Sequence, residues 1–439
     1  MITSVVSKCD IYLLIGEHWM FLKPLIGCLF IILSVPSFAY GEWEFSGFAS
    51  IGAGRLDTED VRYIDFTDEW SFNSDSVVGA QAQIELSDHW SFISQVVASG
   101  YDYTEDDPYT PKVGWFVFGY QINPSTQARI GRFRTPQYMY STTLEVGYTY
   151  QWVRPSQNAY PLFMSPFKHL DGFDLTHSMS LEDVDLTYQV FAGTTEGTYE
   201  GVMGEASWSF GGNVTAVWSE FTARISGHQL NLSIEYPGFK ELGLVAGYEN
   251  LAAAYAADPD AQAALLLIPD SFDADEQITN YISLGFAWER NNWILSSELM
   301  HYRSEDRNFA NDADGYYISV AYQWDDISPY IMIGEYHNRF SDDVKNKVIA
   351  SEQYIPQGDN PTLDGLRATT IEVFDLFNVN QETITLGVRY DFHPKADFKF
   401  EVEYFNFLSD SYGNFYPENG SSSVGTNAVL TSFVIDVVF

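Results

Sequence analysis

Between Ile384 and Phe392 every second residue is apolar: Ile384, Leu386, Val388, Tyr390 and Phe392 interleave with Thr385, Gly387, Arg389 and Asp391. The same period of two runs through Val78–Leu86, Ile282–Trp288 and Tyr316–Trp324. Successive side chains of a strand point to opposite faces, so the period means strands with one apolar face and one small or polar face. Beyond residue 41 no apolar run approaches the roughly 20 residues that a membrane-spanning helix needs. Any membrane crossing by this chain therefore falls to its strands.

The joints between strands constrain the fold further. Short turns are expected at Ser87–His89, Asn123–Thr126, Leu181–Asp183, Gly211–Asn213, Pro237–Glu241, Arg290–Asn292, Asp325–Ser328 and His393–Ala396. Longer acidic or glycine-rich connections fall at about 56–76, 103–112, 135–170, 196–202, 250–276, 304–313, 339–380 and 409–426, with one short joint near 225–227. Short and long joints alternate, a rhythm that a soluble sandwich has no reason to keep and a membrane barrel does. The expected fold is all-β: a transmembrane antiparallel β-barrel over residues 42–439, with short periplasmic turns and long external loops. The joints give 18 strands, with 16 as the alternative because the windows 213–224 and 328–338 are ambiguous.

The polarity of the strands runs inside out for a soluble barrel. Their polar faces carry Glu85, Gln95, Asp174, Asn231, Glu235, Glu298, Arg389, Glu401 and Glu403. Burying so many charges in a dry interior costs several kcal/mol each, whereas a water-filled lumen removes that cost. These residues are therefore expected to line a lumen while the apolar faces meet lipid. Closure then satisfies every backbone polar group, which lipid cannot do. Aromatics near strand ends, such as Trp90, Trp293, Trp324, Tyr390 and Phe392, suit interfacial girdles, and aromatics make up 16% of the chain. With 60 acidic against 22 basic residues, the net charge of −38 argues against nucleic acid as a partner.

The first 41 residues read differently. From Met20, MFLKPLIGCLFIILSVPSFAYG places Lys23 before the apolar stretch Leu25–Val35, with Pro36 and small residues after it. That is the pattern of a secretory signal peptide; residues 1–41 are expected to be removed, and Met20 is the expected true start. Both cysteines, Cys9 and Cys28, lie in this segment.

In SFVIDVVF, Phe433, Ile435, Val437 and the terminal Phe439 share one face. An apolar-alternating last strand ending in Phe resembles the assembly signal of Gram-negative outer-membrane barrels. The whole layout resembles the Gram-negative outer-membrane porins, and ARIGRFRTPQYMY (Ala128–Tyr140) with VGYTYQWVRPSQNAY (Val146–Tyr160) looks like a sequence block of porin-like proteins. The resemblance implies an outer-membrane location, contact with lipid, lipopolysaccharide and the barrel assembly machinery, and a homotrimer. It also implies that the third long loop, about 135–170, folds into the channel as a constriction. Arg129, Arg132, Arg134, Arg154 and Lys168 cluster in or beside that loop. They form either an anion-attracting constriction or a set of ion pairs with lumen acids. Strict alternation puts Arg132 and Arg134 on the lipid side with Ile130 unless a bulge at Gly131 re-aims them.

The expected function is passive diffusion of small hydrophilic solutes and ions, without catalysis; the alternatives are a non-conducting structural or adhesin barrel and, further off, an outer-membrane hydrolase. His177 and Ser178 are strand neighbours and point to opposite faces, so they make no nucleophile–base pair. No cofactor is expected. Acidic loops such as Asp57–Asp75 and Asp102–Asp107 suit Ca²⁺ or Mg²⁺ bridging to lipopolysaccharide, and Asp306, Asp312 and Asp314 lack the spacing of an EF-hand. Residues 251–268 are alanine-rich and suit a short helix interrupted at Pro259.

Overall fold

The alternating stretches all become antiparallel strands, and in the computed structural model they close into one barrel of 16 strands. The structure describes residues 43–101, 108–161, 167–199, 202–305, 312–339, 342–376, 378–408, 411, 413–418 and 427–439. The expected signal peptide, the acidic run 102–107 and Asp306 lie outside these. The barrel strands are β1 (Trp43–Leu56), β2 (Val77–Glu85), β3 (Trp90–Ser99), β4 (Lys112–Asn123), β5 (Thr126–Arg134), β6 (His169–Leu181), β7 (Val184–Tyr199) and β8 (Val202–Trp218). They continue as β9 (Phe221–Glu235), β10 (Ala274–Arg290), β11 (Trp293–Ser304), β12 (Asp312–Tyr322), β13 (Ile327–Arg339), β14 (Val379–His393), β15 (Ala396–Phe407) and β16 (Asn427–Val438). Each pairs with its neighbours in the chain, and β1 closes the ring against β16.

The favoured count of 18 is thus corrected to 16, and the error is local. Gly211–Asn213 and residues 225–227 are not joints but the middles of β8 and β9, which turn over at Ser219-Glu220 instead, with Ser219 at φ 53°. Glycine here marks close approach rather than a turn: a Cβ on Gly211 would lie 2.3 Å from the Cβ of His228 and 2.6 Å from the carbonyl of Gly227. Pro237–Glu241 likewise opens a helical loop, not a strand. After a one-turn helix, Gly238–Glu241, come α1 (Leu244–Ala254) and α2 (Pro259–Leu266), capped by the Asp258 side chain on the Ala261 N–H. The remaining short turns follow their chemistry; Asn291 and Asn292 take φ 51° and 69°, as a type I′ hairpin requires.

The outer surface carries an apolar belt. On β14 it runs from Phe392 through Leu386 to Ile384, then gives way to Glu382; on β13 it runs from Ile327 to Ile333, then to Glu335. Eight residues of strand tilted by about 40° rise about 20 Å, close to the apolar band of outer-membrane barrels. Trp90, Trp293, Trp324, Tyr390 and Phe392 are exposed at the turn end of this belt. No helix among the described residues is long and apolar enough to cross a membrane.

The seam explains a small-residue first strand. Ser50 of β1 faces inward and donates to Asp436 of β16, while Phe45 and Ile51 face out. Phe48 interrupts the polar inner face because its ring fills the space left by Gly79 on β2. Phe439 exchanges both backbone hydrogen bonds with Gly47, each 3.0 Å, and lays its ring where a Gly47 Cβ would sit. Phe433, Ile435 and Val437 share the outer face of β16. Deleting Phe439 removes two hydrogen bonds and an aromatic contact at the last point of closure. The expected result is a large fall in heat-stable, folded barrel in outer-membrane fractions on unheated gels.

The loop end is covered by side-chain clusters of its own. The loop 236–273 packs α1 and α2 on α3 (Asp342–Ser351) and α4 (Pro361–Leu376), with Phe239, Tyr248, Leu265, Phe272, Val348 and Phe374 buried between them. The first and last loops meet in a short ribbon, Val61–Arg62 against Tyr416–Pro417, over Tyr63, Phe66, Phe405 and Phe415.

Candidate functional site: a loop pinned inside the barrel

Between β5 and β6, residues 135–161 turn into the lumen and lie along its wall. Its two ends are fastened together: Arg134 and Lys168 both pair with Glu145, and the Thr135 N–H donates to the Lys168 carbonyl at 3.0 Å. From there the loop contacts strand after strand. Arg224 of β9 donates to the Pro136 carbonyl (2.8 Å), and Ser283 of β10 to that of Gln137 (2.7 Å). Glu298 of β11 accepts from the Met139 N–H (2.8 Å), from Tyr160 Oη and from Tyr317 Oη of β12. Trp152 Nε1 donates to Ser319 Oγ (2.8 Å), and Arg389 of β14 reaches the carbonyls of Tyr148 and Tyr150 at 2.9 and 2.8 Å. Lys399 of β15 donates to the Gly147 carbonyl at 2.7 Å.

Arg154 is the densest anchor. Its guanidinium pairs with Asp75 of the first loop (Nε–Oδ1 3.0 Å, Nη2–Oδ2 2.6 Å) and donates to Ser432 Oγ of β16 at 2.7 Å. Glu403 and Glu401 of β15 stand 3.5 and 3.7 Å away, and the Phe66 ring covers the guanidinium at 5.1 Å. Burial alone would lower the pKa of Arg154, but Asp75, Glu401 and Glu403 together raise it well above the ordinary value. It is a fixed cation. Lys399, fully buried, makes the same kind of link lower in the barrel, 2.9 Å from Asp436 and 3.8 Å from Asp397. Between these polar anchors Tyr138, Trp152 and Tyr160 pack on Leu230, Leu232, Tyr281, Tyr317 and Tyr330 of the wall.

The basic cluster read from sequence is therefore split. Arg129 faces the lumen, held by Asp174 (Nε–Oδ1 3.0 Å) between the rings of Trp115 and Phe133. Arg134, Arg154 and Lys168 belong to the loop and its root. Arg132 is corrected out of the constriction: the strand keeps its alternation through Gly131, so Arg132 faces outward with Ile130 and pairs with Asp171 (Nε–Oδ1 2.7 Å) in a recess lined by Val113, Phe116 and Phe173. It stands where the belt turns polar.

Of the lumen residues, Gln95 donates to Gln81 Oε1 (3.1 Å), and Asp174, Glu298, Arg389, Glu401 and Glu403 face inward, engaged as described. Glu85 is exposed at the turn end of β2. Glu235 and Asn231 are corrected to the outer face. Leu230 and Leu232 face inward because the internal loop covers them, so Asn231 turns outward to Ser207 Oγ (3.2 Å) and Glu235 to Lys240 (2.5 Å). A lumen roofed by its own loop has an apolar wall beneath, which the rule of a polar lumen misses. Asp75, Lys399 and Asp436 escaped the sequence reading, although Lys399 and Asp436 sit on the polar faces of clearly alternating strands. His177 lies on the outer face and shares a hydrogen bond with Thr126 Oγ1 at 2.9 Å. Asp314 pairs with His301 on the outer face at 2.7 Å.

A closed antiparallel barrel with an apolar belt outside and a long loop folded within is a porin-like outer-membrane barrel. Solved structures of similar fold include OmpF of Salmonella typhi in complex with daunomycin (TM-score 0.53, 12% identity, covering 91% of this chain and 98% of that one). An anion-selective porin from Comamonas acidovorans matches with TM-score 0.53 and 10% identity, over 91% of this chain and 100% of that one. The outer membrane channel DcaP of Acinetobacter baumannii matches with TM-score 0.50 and 10% identity, over 92% and 99%. No protein-family model matches the chain, and no curated protein does. The fold places the chain in the outer membrane of a Gram-negative cell.

Proposed function

We propose that the chain is a porin that conducts small hydrophilic solutes and ions passively through the outer membrane, as a homotrimer. The observation that carries this is the internal loop. It narrows the barrel and is pinned by polar contacts to strands from β9 to β16, which gives a lumen of fixed shape rather than a collapsed one. Transport rather than catalysis is the activity supported, because the His–Ser neighbours are engaged elsewhere: His177 with Thr126 outside, Ser178 Oγ with Thr187 Oγ1 at 3.2 Å. The basic residues do not form a free positive ring. Arg129, Arg134, Arg154 and Lys168 each face a carboxylate, and the chain as a whole carries an acidic surplus of −38. The channel is therefore expected to favour cations weakly over anions. Purified protein in planar bilayers under a KCl gradient should show stepwise conductance with a reversal potential on the cation side. A reversal potential on the anion side would reject the ion-pair account of these bases, and silence would reject the channel.

A further inference from the structure

The two walls of the lumen differ in kind, and this difference, resting on the channel reading above, points to the solute. Under the internal loop, between the apolar side chains that pack on it, the inward-facing positions include six charged ones: Glu298, Asp397, Lys399, Glu401, Glu403 and Asp436, at most 5% exposed. They hold the loop and are closed to any solute. Across the lumen, in the turn-end halves of β2 to β7, Glu85 and Asp185 are exposed at the turn rim and Arg129 is paired with Asp174; the other polar inward-facing positions include Gln81, Gln83, Gln127, Thr176, Thr187 and Gln189, each half-buried. All six are uncharged, and each offers both a donor and an acceptor.

These groups are linked into short chains rather than isolated. Gln95 Nε2 donates to Gln81 Oε1 (3.1 Å), Asn213 Nδ2 to Gln189 Oε1 (3.0 Å), and Gln189 Nε2 to Asp174 Oδ2 (2.7 Å). Asp174 is itself neutralised by Arg129. Beyond the rim carboxylates Glu85 and Asp185, a charged solute on this wall gives up hydration among these neutral groups, which is costly. A hydroxyl-rich solute exchanges its water hydrogen bonds for amide and hydroxyl partners at little net cost, one after another. We propose that the solute path runs along the wall of β2 to β7, and that its carboxamide and hydroxyl lining selects uncharged, polyhydroxylated solutes of carbohydrate type.

Proteoliposome swelling compares glucose with gluconate and glucosamine, charged solutes of nearly the same size, while bilayer recording on the same preparation reports the channel itself. Glucose is expected to enter several-fold faster than either charged solute. In the Gln127→Leu/Gln189→Leu double variant, with assembly checked by heat-stable migration, that advantage should shrink several-fold. Gln127→Glu/Gln189→Glu serves as a second variant if the first does not assemble, and should move the reversal potential further toward cations. Conductance steps with equal entry of all three solutes, or with a glucose advantage untouched in the leucine variant, would overturn the proposal and leave the porin standing. A reversal potential unmoved by the glutamates would do the same. Absence of both steps and swelling would overturn the porin reading itself, and this proposal with it.

Discussion

Arg154→Ala is expected to release the internal loop while the barrel remains. The substitution leaves Asp75, Glu401 and Glu403 close together, each with a side chain at most 6% exposed, and without their common cation. Removing one partner of a buried ion pair costs about 3–5 kcal/mol because the remaining charge is uncompensated. Part of this is recovered by protonation of a carboxylate or entry of water, and the loop gives way before the strands because its contacts are side-chain contacts. The measurable result is new proteolysis between Gln137 and Tyr160 in a barrel that still migrates as folded, together with larger and noisier conductance steps. Arg154→Lys keeps the charge but loses the two-pronged contact to Asp75, so its steps should fall between those of wild type and Ala. Wild-type steps and protease resistance in the Ala variant would show that the loop is held by its aromatic packing alone.

Gly131→Val is expected to prevent assembly of the barrel. Gly131 has φ 135°, outside the range of L side chains, and a Cβ there would lie 2.0 Å from the Phe116 carbonyl oxygen and 3.1 Å from the Val117 Cα. Both are backbone atoms of the neighbouring strand β4, so no rotamer relieves the clash. It stands opposite Gly172 of β6, which in turn faces Gly193 of β7. The backbones of these strands approach closely at the three glycines, and a side chain would force them apart. Backbone strain of about 1–3 kcal/mol and overpacking of similar size combine to about 2–6 kcal/mol. Expression in vivo should yield little heat-stable barrel; normal yield would mean that a glycine is not required at this position.

Much of the fold was legible because membrane barrels write it locally. Alternation is a property of neighbouring residues, so Ile384–Phe392 or Tyr316–Trp324 declare their faces without tertiary information. The seam of β1 against SFVIDVVF follows from where the strands fall in the chain. The misreadings arise where glycine has two meanings: Gly211-Gly212 looks like a turn and is a close contact. The helices α3 and α4 leave little periodicity in the sequence, because their apolar residues, such as Val344, Val348 and Leu363, are sparse and sealed by those of another loop. The internal loop was legible as a unit but its partners were not. Arg154 meets Asp75, 79 residues upstream, and Ser432, 278 residues downstream, and only barrel closure brings these together. The outward turn of Glu235 was hidden for the same reason, since the loop that makes its inner neighbours apolar lies 60 or more residues away.

If the loop occupies the β9–β16 side, the open path lies against β2–β7. Thiol labelling tests it cleanly, because both native cysteines, Cys9 and Cys28, precede the barrel. Gln127→Cys and Ser319→Cys place one thiol on each wall at inward positions, half-buried and buried respectively. With a charged methanethiosulfonate added during single-channel recording, Gln127→Cys channels should step down to a lower conductance, and Ser319→Cys channels should not change. Block at Ser319→Cys with Gln127→Cys unaffected would put the path on the other side of the loop and contradict the account.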